Sequence, residues 1–117
     1  MRSSDCLPVS VFFLRIILLD VRNSSELVNP GKIPGSFNIP LYEIPEAFSL
    51  EPEQFLEKYK FQLPDKDAQN VVLTCRSGRR VKIAIRRLEP LGFNQLRIYD
   101  GSFKDWVARG GEVVAGK

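Results

Sequence analysis

Histidine is absent from the 117 residues. That absence removes Ser–His and Cys–His nucleophile pairs and any metal site built on imidazole. Cysteine is scarce as well. Cys6 and Cys75 are the whole complement, too few for a Cys-rich zinc or iron–sulfur centre within one chain. Two thiols so far apart, with no secretory pattern before them, read as reduced cysteines of an intracellular protein. The cytoplasm is the first candidate and the mitochondrion the second. Long apolar runs are also lacking. Residues 9–19, VSVFFLRIILL, are broken by Arg15 and too short to span a bilayer. They carry no small-residue cleavage pattern, so they are expected as a buried strand, with no membrane partner. Excess charge of one sign is small. The net charge is +3, with Lys and Arg mixed among acids along most of the chain, which gives no nucleic-acid footprint.

What remains is an ordinary globular composition, 44% hydrophobic and 26% charged, of a length that suits one domain. The most informative stretch is Val71-Val72-Leu73-Thr74-Cys75-Arg76-Ser77-Gly78-Arg79-Arg80. An apolar, strand-like run meets a cysteine, then a short loop of small and cationic residues, then a helical pattern. Such a loop aims backbone N–H groups and a helix N-terminus at one sulfur, favouring a thiolate or a bound anion. Arg76, Arg79 and Arg80 add positive charge, and Gly78 permits a tight backbone path. Against this stands the reading of Cys75 as a core residue and of the arginines as a solvated helix face. The cationic flank favours a reactive cysteine facing a small anionic ligand. With no histidine present, its activation falls to backbone dipoles and arginines.

The remaining chain reads as alternating strands and helices. Ile16–Val21 is a continuous apolar run, as in a strand covered on both faces. Asn29-Pro30-Gly31 and Ile33-Pro34-Gly35 mark turns, and residues 37–40 form a short extended piece. Residues 51–59 are expected to be helical, with Pro52 in the first turn and Phe55, Leu56 and Tyr59 as the apolar stripe. Val81, Ala84, Ile85 and Leu88 fall at i, i+3, i+4 and i+7, predicting a helix packed on the sheet and stopped by Pro90 and Gly92. Residues 96–99 are a further strand, and residues 103–108 a short helix ended by Gly110-Gly111. The expected architecture is α/β, a doubly wound and mostly parallel sheet flanked by helices. Ligands of such sheets sit beyond the carboxyl ends of the strands, where Cys75 lies.

These residues resemble the rhodanese domain, specifically the small single-domain thiosulfate sulfurtransferases. The pieces occur in the family's order from about Leu18 to Val113. Asp20-Val21-Arg22 and Glu26 come first, then residues 31–36 (GKIPGS) and Asn38-Ile39-Pro40. The Cys75–Arg80 loop, Leu91-Gly92-Phe93, Tyr99 with Gly101, and Trp106 ahead of Gly110-Gly111 follow. The resemblance implies a rhodanese domain over residues 18–117, preceded by an N-terminal segment, residues 1–17, shorter than the family usually carries. Lys32 stands where the family often has histidine. Cys75 is then the implied nucleophile, taking a sulfane sulfur from an anionic donor such as thiosulfate and passing it to cyanide or to a thiol such as glutathione or thioredoxin. Arg76, Ser77, Gly78, Arg79 and Arg80 are the implied substrate-binding loop, with Arg76 and Arg80 ranked before Arg79. Asp20 and Arg22 support it, read as a buried ion pair or strand-end hydrogen bonds before a catalytic role. No cofactor or metal is implied. Two alternatives stay open: a cysteine phosphatase of related fold and a non-catalytic binding module. The phosphatases use a loop one residue longer between Cys and the terminal Arg, so the spacing here favours sulfur over phosphate.

Overall fold

A computed structural model describes residues 16–116. Cys6 and the part of the apolar run before Ile16 lie outside the described residues. Four strands form one parallel sheet: β1 (Ile17–Asp20), β2 (Phe37–Asn38), β3 (Val71–Thr74) and β4 (Arg97–Ile98), in the order β2-β1-β3-β4. The helices are α1 (Ser24–Val28), α2 (Pro52–Tyr59), α3 (Arg79–Leu88) and α4 (Ser102–Ala108). The expected parallel α/β sheet is therefore the one observed. β1 opens at Ile17, so the expected domain boundary falls inside that strand.

Strand alternation divides the core into two layers. Leu19, Val71 and Leu73 point to one face, where Phe55 of α2 and Val81, Ala84 and Leu88 of α3 bury themselves with Phe48 and Phe93. Leu18 and Val72 point to the other, against Ile33, Tyr99 and Phe103 of α4. Both faces are covered, so the central strands read as unbroken apolar runs rather than alternating ones. Burying each such side chain contributes roughly 1.5–3 kcal/mol.

The helical stripe predicted for α3 packs as expected, with Ile85 partly buried beside its three buried partners. In α2 the expectation is corrected at Leu56, which is half exposed while Phe55 is fully buried. Adjacent helical positions face about 100° apart, so only one of the two can point at the sheet. Tyr59 is partly buried against the core and donates its hydroxyl to Glu43 at 2.6 Å. Burial and the neighbouring Glu43 carboxylate push the Tyr59 phenol well above its ordinary value. Trp106 is only partly buried, and its indole N–H reaches the carbonyl of Glu112 at 2.7 Å. α1 and the single 3₁₀ turns at Leu41–Glu43, Glu46–Ser49 and Glu89–Leu91 were not expected from periodicity. No helix among the described residues is long and apolar enough to cross a membrane.

The strand order sets the site. From β2 the chain crosses back over β1 to reach β3, so the topology reverses between β1 and β3. Asp20 pairs in register with Thr74 there. Cys75 and Val21 therefore leave the sheet side by side at its carboxyl edge, where a doubly wound sheet opens a crevice.

Candidate active site

Cys75 follows the last residue of β3 and is 1% exposed. Its Sγ accepts a hydrogen bond from the Gly78 N–H at 3.1 Å. The loop achieves this by turning sharply at Gly78, which has φ +95° and caps the N-terminus of α3. A Cβ at Gly78 would collide with the Asp100 carbonyl oxygen, so glycine is required both for φ and for space. Arg76, Ser77 and Arg79 are exposed around the buried sulfur, and Arg80 is partly buried.

Ser102, at the start of α4, is the site residue that motif reading missed. It is fully buried, with φ +56°. Its hydroxyl oxygen accepts the Cys75 N–H at 3.1 Å, donates to the Tyr99 carbonyl at 2.9 Å and lies 3.8 Å from Cys75 Sγ. The next two amides of α4 clasp the loop as well, Phe103 N–H to the Cys75 carbonyl and Lys104 N–H to the Arg76 carbonyl, both at 2.9 Å. The signal was a Gly-Ser pair just after a strand, too common to single out without the fold.

Asp20 and Arg22 form the buried ion pair expected of them. Arg22 donates through Nε and Nη2 to the Asp20 carboxylate at 2.8–3.1 Å, and through Nη2 to the Gly31 carbonyl at 2.8 Å. The guanidinium lies 4.2 Å from the centre of the Phe103 ring, a cation–π contact that helps offset its removal from water. Its Nη1 is buried without a hydrogen-bond partner. Asn38 fixes the same turn by donating to the Asp20 and Arg22 carbonyls, each at 2.9 Å. Lys32 donates to the Ser36 carbonyl at 2.6 Å and so braces its own turn.

Arg80 is not a free cation. Nη1 and Nη2 donate to the two Glu26 carboxylate oxygens at 2.7 and 3.0 Å. Glu26 also accepts the Asn23 N–H at 3.0 Å, closing the first turn of α1. The Arg80 hydrogen bond is the chief reason the Glu26 carboxyl lies below its ordinary value, and the same bond raises Arg80. The pair forms one wall of an open groove of about 510 Å³, also lined by Asn23, Leu41, Tyr42 and Arg87. The chemistry available is that of a thiol under an amide donor, at the switch point of a parallel sheet, ringed by cations.

This fold and this cysteine loop define a class. Residues 11–109 match the rhodanese-like domain family, and the chain belongs to it. Among its relatives is the mouse thiosulfate sulfurtransferase/rhodanese-like domain-containing protein 3, 46% identical over 92 residues. That match covers 79% of this chain and 58% of the mouse protein, so the chain spans somewhat over half of that relative's length. The human thiosulfate:glutathione sulfurtransferase is 33% identical over 95 residues, covering 81% of this chain and 82% of that protein. Among solved structures, a human single-domain sulfurtransferase superposes with a TM-score of 0.82 at 29% identity, covering 93% of this chain and 98% of that one.

Proposed function

We propose that the protein is a sulfurtransferase that moves a sulfane sulfur from thiosulfate to a thiol through a persulfide on Cys75. The observation that carries this reading is the Gly78 N–H directed at Cys75 Sγ at 3.1 Å. An amide donor aimed at the sulfur stabilises negative charge that develops there during transfer. Family membership, and relatives named for thiosulfate and glutathione, support the same substrate class.

In the first half-reaction the Cys75 thiolate attacks the outer sulfur of thiosulfate. A Cys–S bond forms, the S–S bond of the donor breaks, and sulfite leaves with the electron pair. In the second, an acceptor thiolate attacks the outer sulfur of the persulfide and Cys75 departs as thiolate. Cyanide in the same role yields thiocyanate. No general base is needed if both sulfurs enter as anions. Arg76 and Arg79, exposed at the mouth, suit the sulfonate oxygens of the donor. Arg80, engaged by Glu26, contributes charge from a fixed position, while Ser77 and Gly78 contribute the backbone path. Asp20 and Arg22 hold the neighbouring strand end. The setting proposed is a reducing compartment, the cytoplasm or the mitochondrion, where Cys75 and its acceptor stay as thiols.

Steady-state kinetics test the scheme. With thiosulfate and glutathione varied together, double-reciprocal plots are expected to be parallel, and Cys75→Ser is expected to show no turnover. Intersecting lines would mean that donor and acceptor bind together and that no enzyme-bound persulfide forms.

A further inference from the structure

The exposed face of α3 carries more positive charge than its surroundings explain. The helix RRVKIAIRRL holds five cations and no acid, whereas the entire chain has a surplus of only +3. Arg79 and Arg80 sit in its first turn, against the positive end of the helix dipole. Arg79, Lys82 and Arg86 follow at three- and four-residue spacings, so like charges neighbour one another. The first-turn cations and the like-charge spacings do not favour the helix; only Arg86 and Arg87, in its last turn, suit the dipole. Positions that break local rules without a local gain are where function is expected.

Neighbours neutralise little of the charge. Glu26 engages Arg80, and Lys82 is 4.0 Å from Asp100. Arg87 donates only to the carbonyls of Leu41 and Ile44. Among the described residues, Arg79, Arg86 and Arg87 make no ion pair. Within this cationic face Ile83 is 37% exposed, and Tyr42, which lines the same groove as Arg80 and Arg87, is 69% exposed. Apolar and aromatic side chains among arginines are the composition of a protein-docking surface rather than of a solvated helix.

We propose that this face of α3, together with the groove beside Tyr42, docks a folded acidic protein that carries the acceptor thiol. The proposal rests on the sulfurtransferase reading. α3 starts four positions after Cys75, so a partner lying along it brings a thiol to the mouth of the loop. Its thiolate attacks the outer sulfur of the Cys75 persulfide; the new S–S bond is on the acceptor, and Cys75 leaves as thiolate with no net redox change. Charge complementarity commits the occupant to an acidic surface. The exposed Ile83 and Tyr42 favour a protein over a phosphate backbone, which also offers no thiol.

The test compares two acceptors for the persulfidated full chain: cyanide, and reduced thioredoxin of acidic pI as the protein probe. In wild type, kcat/KM toward thioredoxin is expected to fall steeply with added salt. In Lys82→Gln/Arg86→Glu it is expected to drop about 10–100-fold at low ionic strength, with cyanide turnover unchanged. Arg86→Gln alone should lie between the two. Rates in the variant that match wild type with both acceptors, or equal losses with both, overturn the docking surface. So does salt-sensitive binding of a duplex oligonucleotide that the variant abolishes while thioredoxin transfer stays intact. If wild type forms no persulfide at all, the sulfurtransferase reading fails first, and that result is distinct from persulfide transfer that ignores charge.

Discussion

Two side-by-side contacts orient Cys75: the Gly78 N–H on its sulfur and the Ser102 hydroxyl on its backbone amide. The second is not replaceable by water, because both residues are buried. Replacing Ser102 with Ala leaves the Cys75 N–H without its acceptor, at a cost of about 1–3 kcal/mol. Ser102→Ala is therefore expected to melt several degrees below wild type and to transfer sulfur more slowly; an unchanged melting temperature would contradict the role given to the hydroxyl. At this scale much of the site was legible. Cys75 and the cationic loop stand together in the sequence, and the spacing of Asp20 and Arg22 suits a local ion pair. Ser102 lies 27 residues from Cys75. Its contact exists only because β4 runs beside β3 and returns the chain to the same sheet edge.

The loop between β3 and α3 is the element on which the proposed chemistry depends. Gly78 makes the turn at φ +95° with the Asp100 carbonyl against it. Gly78→Ala must either strain φ or push the β4–α4 connection away. The expected outcome is a lower thermal midpoint together with loss of persulfide formation, read by melting and by thiosulfate turnover on the same sample. Retention of both would show that the loop has more slack than this geometry allows. β3 and α3 were readable because their patterns are long and regular: four consecutive buried residues, then three buried positions at helical spacing. α1 was not readable. It has five residues and buries only Leu27, too little to display a period. Asn23 and Glu26 do have capping-box spacing, a signal that periodicity alone passes over. Leu56 shows the opposite error, an apolar residue counted toward a stripe that its helix turns outward.

Across the whole molecule, the Glu26–Arg80 pair ties α1 to α3 over a separation of 54 residues. No sequence pattern announces such a pair; it follows from the parallel sheet that brings both helix starts to one edge. Its pH dependence has a definite sign. Glu26 is lowered from its ordinary 4.5 chiefly by the Arg80 hydrogen bond, so its contribution is present above that value and lost as pH falls through the folded-state value. The pair is partly exposed, and its contribution is of order 1 kcal/mol. Wild type is expected to exceed Glu26→Gln in urea midpoint near neutral pH, with the gap closing below about pH 4.5. A gap independent of pH would mean that it does not come from the charge of the Glu26 carboxylate. The parallel sheet covered by helices was legible from the alternation of apolar runs and helical stripes; the strand order was not. The neutralisation of Arg80 was not.

The central claim is that Cys75 carries the transferred sulfur. Intact-protein and peptide mass measurement after thiosulfate treatment tests it most directly. The account predicts a gain of one sulfur atom on the peptide containing Cys75, removed by cyanide and absent in Cys75→Ser. No gain in wild type, or the same gain in Cys75→Ser, would contradict it.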